Sequence, residues 1–302
     1  MRTRAALLSL ALVLVLAPPA IATFPGRNGL LAVAADSDSS SDTIYVGRLG
    51  GGGLRALPSP CPPGPPDPAW DTCFVDAPAW SPDGTRLAFS SHRGTEDGLW
   101  IVDLDGSDLH QVPGVNGFRP AWSPDGQRLV FSVEAWDKSE CHFRDLYTVN
   151  ADGSELALLT RRGDNADWSV GGEIVFERLR EHWTSGDAAE CEPLSSIAVM
   201  RPGGKPRRVA SGAGPHWAPG GRTIAYLSRG GLRRKRIGTD APGRVLRTPG
   251  GYELAWSPDG RFIVFRRSLR LRLIGSRHGH RLPIAFDAPG IDFSVDWQPR
   301  PR

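Results

Sequence analysis

The stretch Ala79-Trp80-Ser81-Pro82-Asp83-Gly84 recurs letter for letter at Ala121–Gly126 and Ala255–Gly260, at intervals of 42 and then 134 residues. The long interval holds two worn copies, "DWSVGGEIVF" from Asp167 and "HWAPGGRTIAY" from His216, and a last fragment, "DWQPRP", begins at Asp296. The repeat tryptophans are therefore Trp80, Trp122, Trp168, Trp217, Trp256 and Trp297, spaced 42, 46, 49, 39 and 41 residues apart. Self-similarity at such a period marks an array of like units, in which each unit needs its neighbours to bury its apolar face.

Each unit has the same internal grammar. A short apolar strand ends at the tryptophan, and Ser-Pro-Asp-Gly then makes a tight turn. Proline fixes φ, aspartate bonds its own backbone and glycine accepts positive φ. A second strand follows, read in "RLAFSS", "RLVFSV", "EIVFER", "TIAYLS" and "FIVFRR". After a variable loop comes a third ("LWIVDL", "LYTVNA", "SIAVMR"), then a turn at Asp105-Gly106, Asp152-Gly153 or Gly203-Gly204 and a short fourth strand. Four antiparallel strands in some 40–45 residues describe a β-propeller blade.

The two ends are complementary. The last unit stops after its tryptophan strand, at Trp297-Gln298-Pro299, and the N-terminal segments "NGLLAV", "TIYVGRL" and "LRALP" supply strands two to four with no tryptophan strand before them. Together they complete one blade and close the ring without an exposed edge. The sequence predicts an all-β, six-bladed β-propeller closed by N- and C-terminal strands sharing one blade. A parallel β-helix or a pair of β-sandwiches would not explain the matched ends. The content of 36 glycines and 27 prolines agrees with a turn-rich all-β chain.

The pattern Trp-Ser-Pro-Asp-Gly-x-x-[Leu/Ile]-x-[Phe/Tyr] resembles the WD-like repeat of the TolB-type propellers, found also in the propeller domains of prolyl oligopeptidase relatives. The resemblance runs from Asn28 to Pro299. It implies that the first strand of each blade lies nearest the channel, that the Ser-Pro-Asp-Gly turns share one face, and that the loops between strands two and three share the other. The TolB type carries an added N-terminal α/β domain that engages envelope partners. Only five residues separate Ala22 from Asn28, so that domain is not expected here. The peptidases carry a hydrolase domain with a Gly-x-Ser-x-Gly elbow, and this sequence contains no such motif.

Residues 1–22 read as a secretory signal, and residues 23–302 as the propeller. Arg2 and Arg4 precede an apolar run from Ala5 to Ala17, and Pro18-Pro19-Ala20-Ile21-Ala22 supplies a small-x-small cleavage site. A transmembrane anchor needs about 20 apolar residues, and this run ends sooner, at two prolines. The mature chain is expected to lie outside the cytoplasm, secreted or periplasmic, as a monomer with no membrane span. Four cysteines suit an oxidising compartment. Cys61 and Cys73 bracket "PPGPPDPAWDT" and are expected to pair, because a proline-rich loop builds no core of its own. Cys141 and Cys191 sit in two further insertions and are expected to form the other disulfide.

The irregular sequence falls on one face, at Asp36–Asp42, Pro58–Asp76, Ser91–Asp97, Glu134–Phe143 and Arg178–Pro193. Long loops on one side of a rigid scaffold are where recognition usually resides. The two longest insertions, "EAWDKSECHF" and "RLREHWTSGDAAECEP", belong to the neighbouring third and fourth blades. Trp136 and Trp183 lie outside the repeat position. With Glu134, Asp137, His142, Arg144, Glu181 and His182 they are the candidate binding residues, suited to a protein, peptide or glycan partner. The same two tryptophans could instead pack the insertions together, and the sequence leaves both readings open. His142 and His182 with Cys141 and Cys191 match no compact zinc spacing. "DSDSSSD" at Asp36–Asp42 has serine where a calcium loop needs its glycine. No metal and no cofactor is expected.

Charge is uneven along the chain. Asp36 to Glu192 holds 27 Asp and Glu against 12 Lys and Arg, whereas Lys205 to Arg281 holds 18 Lys and Arg against 3 Asp and Glu. The basic blades suit an anionic partner. Nucleic acid is not expected, since no stacking motif accompanies the charge. No nucleophile–base pair, phosphate loop or metal cluster is visible, so a non-catalytic binding scaffold is the expected function. The alternative is a stand-alone propeller enzyme, a polysaccharide lyase or hydrolase working at the channel mouth. Propeller lyases resembling this repeat gather several histidines in the channel, and here only His216 stands beside a repeat tryptophan. Three convergent carboxylates or histidines at the mouth would favour the enzyme.

Overall fold

The computed structural model describes residues 25–36, 42–50, 53–61, 73–93, 96–136, 142–183, 191–246, 252–267, 270–284 and 291–300. Every regular element among them is a β-strand. The chain opens with β1 (Arg27–Asp36), β2 (Asp42–Gly47) and β3 (Arg55–Ala56). The second blade is β4 (Cys73–Trp80), β5 (Arg86–Arg93), β6 (Glu96–Asp103) and β7 (His110–Gln111). The third is β8 (Phe118–Trp122), β9 (Arg128–Trp136), β10 (His142–Asn150) and β11 (Ala157–Thr160). The fourth is β12 (Gly163–Trp168), β13 (Ile174–Trp183), β14 (Cys191–Met200) and β15 (Arg207–Ser211). The fifth is β16 (Ala213–Trp217), β17 (Thr223–Ser228), β18 (Gly231–Arg236) and β19 (Arg244–Val245). The sixth is β20 (Tyr252–Trp256), β21 (Phe262–Arg267), β22 (Arg270–Gly275) and β23 (Arg281–Leu282). The last strand, β24 (Ile291–Arg300), pairs with β1 and completes the first blade in the order β24-β1-β2-β3.

The two ends share one blade, as predicted. Leu31 lies opposite Trp297 and Val33 opposite Val295. Side chains then fasten the shared blade to both neighbours. Gln298 accepts from the Leu30 amide at 2.9 Å and donates to the Gly84 carbonyl of the second blade at 2.7 Å. Asn28 donates to the Asp259 carboxylate of the sixth blade at 3.1 Å and accepts from the Asp259 amide at 3.2 Å. Gly84 itself has φ +70°, and a Cβ there would lie 2.1 Å from the Pro299 carbonyl oxygen. The repeat glycine is thus required twice, by the turn and by the closure.

The turn chemistry is as the residues dictate. The Gly84 amide donates to the Ser81 carbonyl at 2.9 Å, Asp83 accepts from the Ser81 hydroxyl at 2.6 Å, and the Arg86 amide donates to Ser81 Oγ at 2.9 Å. The same set recurs around Ser123 and Ser257. In the worn copies the backbone bond survives at Gly172 and Gly221. Arg86 then reaches the next blade, 4.7 Å over the Trp122 ring, and donates to the Gly126 carbonyl at 3.1 Å.

The core is divided into six layers, one per blade interface. Period-two strands explain this: Leu87 and Phe89 face back towards Ile44 and Val46 of the first blade, whereas Ala88 faces forward to Trp122 and Leu129 of the third. All six repeat tryptophans are 5% exposed or less. Burying each contributes on the order of 2–3 kcal/mol.

Cys61 and Cys73 form a disulfide with Cα atoms 5.4 Å apart, as expected. Both are buried in the layer between the first two blades. Replacing both cysteines by serine is expected to cost roughly 3 kcal/mol, from loop-closure entropy released in the unfolded chain. Urea unfolding of the oxidised protein and the variant measures this, and an unchanged midpoint would refute it. Cys141 lies outside the described residues, and with it the expected pairing to Cys191.

Candidate functional site

In the second to sixth blades the first strand carries a register shift within the four residues before its tryptophan. At that point the residue three before the tryptophan turns into the left-handed region: Ala77 (φ 50°), Arg119 (φ 53°), Asn165 (φ 49°), Gly214 (φ 53°) and Glu253 (φ 45°). Four of these five are not glycine, and each such residue costs of order 1–3 kcal/mol. The preceding blade holds the turned amide in three cases. Ser294 Oγ accepts from Ala77 N at 2.6 Å, Ser90 Oγ from Arg119 N at 2.8 Å, and Glu177 Oε2 from Gly214 N at 3.3 Å. A bulge of this kind re-aims side chains. Here it brings Arg119 and its charged neighbours together at the loop-face end of the channel.

Asp164 of the fourth blade is the hub. Its Oδ2 accepts from the guanidinium groups of Arg119 at 2.9 Å and Arg144 at 2.8 Å, and its Oδ1 from the Ser132 hydroxyl at 2.7 Å, all from the third blade. Burial would raise the Asp164 carboxyl, but the two arginines and Ser132 outweigh it and hold it below the usual carboxylate range. Arg119 is the converse. Burial opposes its charge, yet Asp164, Glu253, Asp76 and Glu177 together hold its pKa above the ordinary value. Those carboxylates come from the second, fourth and sixth blades, so Arg119 stands where the blades converge. Glu177 accepts from Asn165 at 3.0 Å and from the Ser195 hydroxyl. Glu253 differs from Asp164: burial raises its carboxyl, with Asp76 and Asp164 adding to the rise and Arg119 and Arg266 only partly opposing it.

Beside the mouth runs a stacked ladder. The His92 ring lies between Phe74 at 4.4 Å and Phe118 at 4.8 Å, and the Arg144 guanidinium sits 5.5 Å over Phe118. His92 Nε2 is 3.8 Å from Asp76 Oδ1. The mouth thus offers both signs of charge next to a flat face. Among the described residues no group of three or more histidines, cysteines or carboxylates is placed to hold a metal ion. Two arginines standing among the carboxylates would also repel a cation.

Towards the other end, the residues just before the tryptophans are Ala79, Ala121, Asp167, His216, Ala255 and Asp296. They line a cavity of about 60 Å³. Asp167 accepts from the Trp217 amide at 2.7 Å and Asp296 from the Trp80 amide at 2.8 Å, so each staples its blade to the next. Burial pushes the Asp167 carboxyl up to about 8, with Asp296 adding to the rise, and the Asp296 carboxyl up to about 7. Burial pushes the His216 ring down to about 4, although about a third of its side chain remains open to the cavity.

Of the candidates read from the sequence, Arg144 belongs to this site, turned inward onto Asp164. Glu134 lies across the ladder from Arg144 and is exposed. Trp136 ends β9 opposite His142, and Glu181, His182 and Trp183 end β13 opposite Pro193, Glu192 and Cys191. The two insertions are therefore equivalent hairpins of adjacent blades, as expected. The side chains of Trp136, His142, Glu181, His182, Trp183 and Cys191, and all of Asp137, lie outside the described residues. Arg119, Asp164, Glu177, Glu253 and Asp76 were not among the candidates, because they stand inside the repeat and not in a loop. Their signal is positional: each lies on a first strand three or four residues before a repeat tryptophan, except Glu177, which pairs opposite Asp164.

A family model described as TolB beta propeller domain matches residues 71–258. Among solved structures, the chain is similar to TolB from Acinetobacter baumannii, with a TM-score of 0.69 and 18% identity over 90% of this chain and 67% of that one. It is also similar to a chain of a nidogen/laminin complex, with a TM-score of 0.64 and 9% identity over 89% of this chain and 98% of that one. At such identities the likeness is one of fold. A stretch of 94 residues is 35% identical to WD repeat-containing protein VIP3 of Arabidopsis thaliana, covering 31% of this chain and 28% of that relative.

Proposed function

The chain belongs to the TolB β-propeller family, and on that premise we propose that it is an exported, non-catalytic binding scaffold. It works as a monomer outside the cytoplasm and holds a protein, peptide or glycan partner across the loop-rich face. The observation that carries this reading is the channel mouth. Strained backbone positions are kept there by hydrogen bonds from neighbouring blades, and they present guanidinium and carboxylate groups beside the Phe74–His92–Phe118 ladder. Such preorganisation on a rigid ring suits recognition, since little side-chain freedom is lost on binding. The residue 1–22 signal supports export. The basic fifth and sixth blades offer a second surface, for an anionic partner.

The rim is tested with Trp136→Ala combined with Trp183→Ala. With the partner captured from the envelope fraction and then purified, the double variant is expected to weaken binding by roughly 30-fold or more, as loss of buried aromatic anchors does. Its melting temperature should hardly move. A loss of several kcal/mol in stability instead would show that the tryptophans pack the insertions together, and the rim would then lose its claim.

One observation favours the enzyme reading. Four carboxylates, Asp76, Asp164, Glu177 and Glu253, converge on Arg119. Two of them, Asp164 and Glu253, are pushed in opposite directions, the pattern of an acid paired with a base. Glu253→Gln separates the readings. A scaffold keeps its ligand unchanged in either form, whereas an enzyme consumes it only with Glu253 present.

A further inference from the structure

The basic half of the ring contains a cleft that touches the channel-mouth network at Ser195, whose hydroxyl donates to Glu177. Its volume is about 960 Å³, and it lies between the outer strands of the fourth blade and the face of the fifth. One wall is Ser195 and Ser196 of β14 with Arg208 and Ser211 of β15, and the other is Tyr226, Ser228, Arg229, Arg233 and Lys235. The cleft is open because the β17–β18 connection is a two-residue turn, Arg229-Gly230, where the third and fourth blades carry long hairpins.

Its chemistry is one-sided. No carboxylate is among the described residues that line it. Of the three acidic residues between Lys205 and Arg281, Glu253 is in the channel mouth and Asp259 is held in its turn by Asn28. That leaves Asp240 for the stretch from Lys205 to Arg281, while on the fourth-blade side Glu177 sits behind Ser195. The cations are held instead by neutral oxygens. Arg233 donates to Ser228 Oγ and to the Gly243 carbonyl, both at 2.9 Å, and Arg208 donates to Ser211 Oγ at 2.6 Å. Lys235 donates to the carbonyls of Thr239 and Ala241. These bonds fix the charges in place and, among the described residues, give them no carboxylate partner, with other N–H donors still to spare.

We infer that this cleft, a second site on the scaffold proposed above, binds an acidic oligosaccharide: its carboxylates meet Arg208, Arg229, Arg233 and Lys235, and its ring hydroxyls meet Ser211 and Ser228. The interleaving of hydroxyls with cations selects this class. A protein partner would want an apolar anchor, and the exposed large hydrophobic residues among those described, Leu156, Leu158 and Val245, do not line the cleft. Single-stranded nucleic acid would want exposed rings to stack on, and Tyr226, the one aromatic residue here, is 3% exposed. The volume suits a short oligomer rather than a folded surface.

The test is calorimetric titration of the full chain with an oligogalacturonate and with its methyl ester of equal length. The acidic form is expected to bind, with an affinity that falls as salt rises, and the ester is not. Arg208→Gln with Arg229→Gln should weaken binding by roughly tenfold per lost charge-assisted bond, while Trp136→Ala with Trp183→Ala leaves it unchanged. Equal binding of the ester, equal binding of a single-stranded oligonucleotide, or an unaltered affinity in a folded Arg208→Gln, Arg229→Gln variant would each overturn the inference. Loss of binding in the tryptophan variant would also overturn it, by moving the saccharide to the rim. Failure here leaves the rim experiment untouched, because the two use different residues and ligands.

Discussion

Asp164→Ala is expected to destabilise the protein by about 3–5 kcal/mol, the range found when one partner of a buried ion pair is removed. Asp164 is 7% exposed and accepts from two guanidinium groups and a hydroxyl. Without it Arg119 and Arg144 face each other across the third blade, and Ser132 loses its acceptor. The effect should be partly reversed by Arg119→Met, since the penalty comes from uncompensated charge. Asp164→Ala with Arg119→Met should therefore lose less than Asp164→Ala alone, which a double-mutant cycle in urea would show. A single-variant loss below about 1 kcal/mol would mean that channel water screens the cluster as it screens a surface pair. The mouth would then be a solvated vestibule and no preorganised site.

The fold was legible because the repeat writes the same physical demands six times. Tryptophan needs an apolar layer, Ser-Pro-Asp-Gly needs a tight turn, and Leu-x-Phe needs two faces buried in different interfaces. The Trp297 fragment and the Asn28 segment announce their pairing because neither can bury its apolar side chains alone. The candidate site was legible only in part. Arg144 was found because it stands beside a loop. Arg119 and Glu253 were passed over because a strand residue is expected to point to alternate faces, and an arginine or glutamate there reads as a solvated edge. Their positive φ is not written in local sequence at all. It depends on acceptors such as Ser90, which belong to the preceding blade and reach the bulge only once the ring is assembled. Contacts between blades, and the strain they hold, are properties of the closed ring.

The same dependence on ring closure gives the chain an unusual response to pH. Asp167 and Asp296, with carboxyls pushed up to about 8 and about 7, keep their protons in the folded ring well above the ordinary value of 3.8. Once unfolded, both ionise near that value. From about pH 4 upward the folded state therefore binds more protons than the unfolded chain, so stability falls as pH rises. His216, held down to about 4 by burial, acts in the opposite sense. It is neutral in the ring but charged in the unfolded chain below about pH 6.5, so its contribution is lost as pH falls. Between pH 4 and 6.5 it offsets one of the two aspartates, and above 6.5 they act alone. The decline should steepen near neutrality, ease once Asp296 has ionised, and end near pH 8. Channel water discounts the shifts, which leaves an expected loss on the order of 3 kcal/mol between pH 5 and 9. Asp167→Asn with Asp296→Asn should abolish the decline. The amide oxygens can still accept from the Trp217 and Trp80 amides, and His216 remains to titrate, so the variant should gain stability between about pH 4 and 6.5 and stay level above that. Unfolding midpoints in urea across this range would decide the matter: a wild-type stability that rises from pH 5 to 9, or a decline that persists in the double asparagine variant, would show that these carboxyls ionise freely in a hydrated channel.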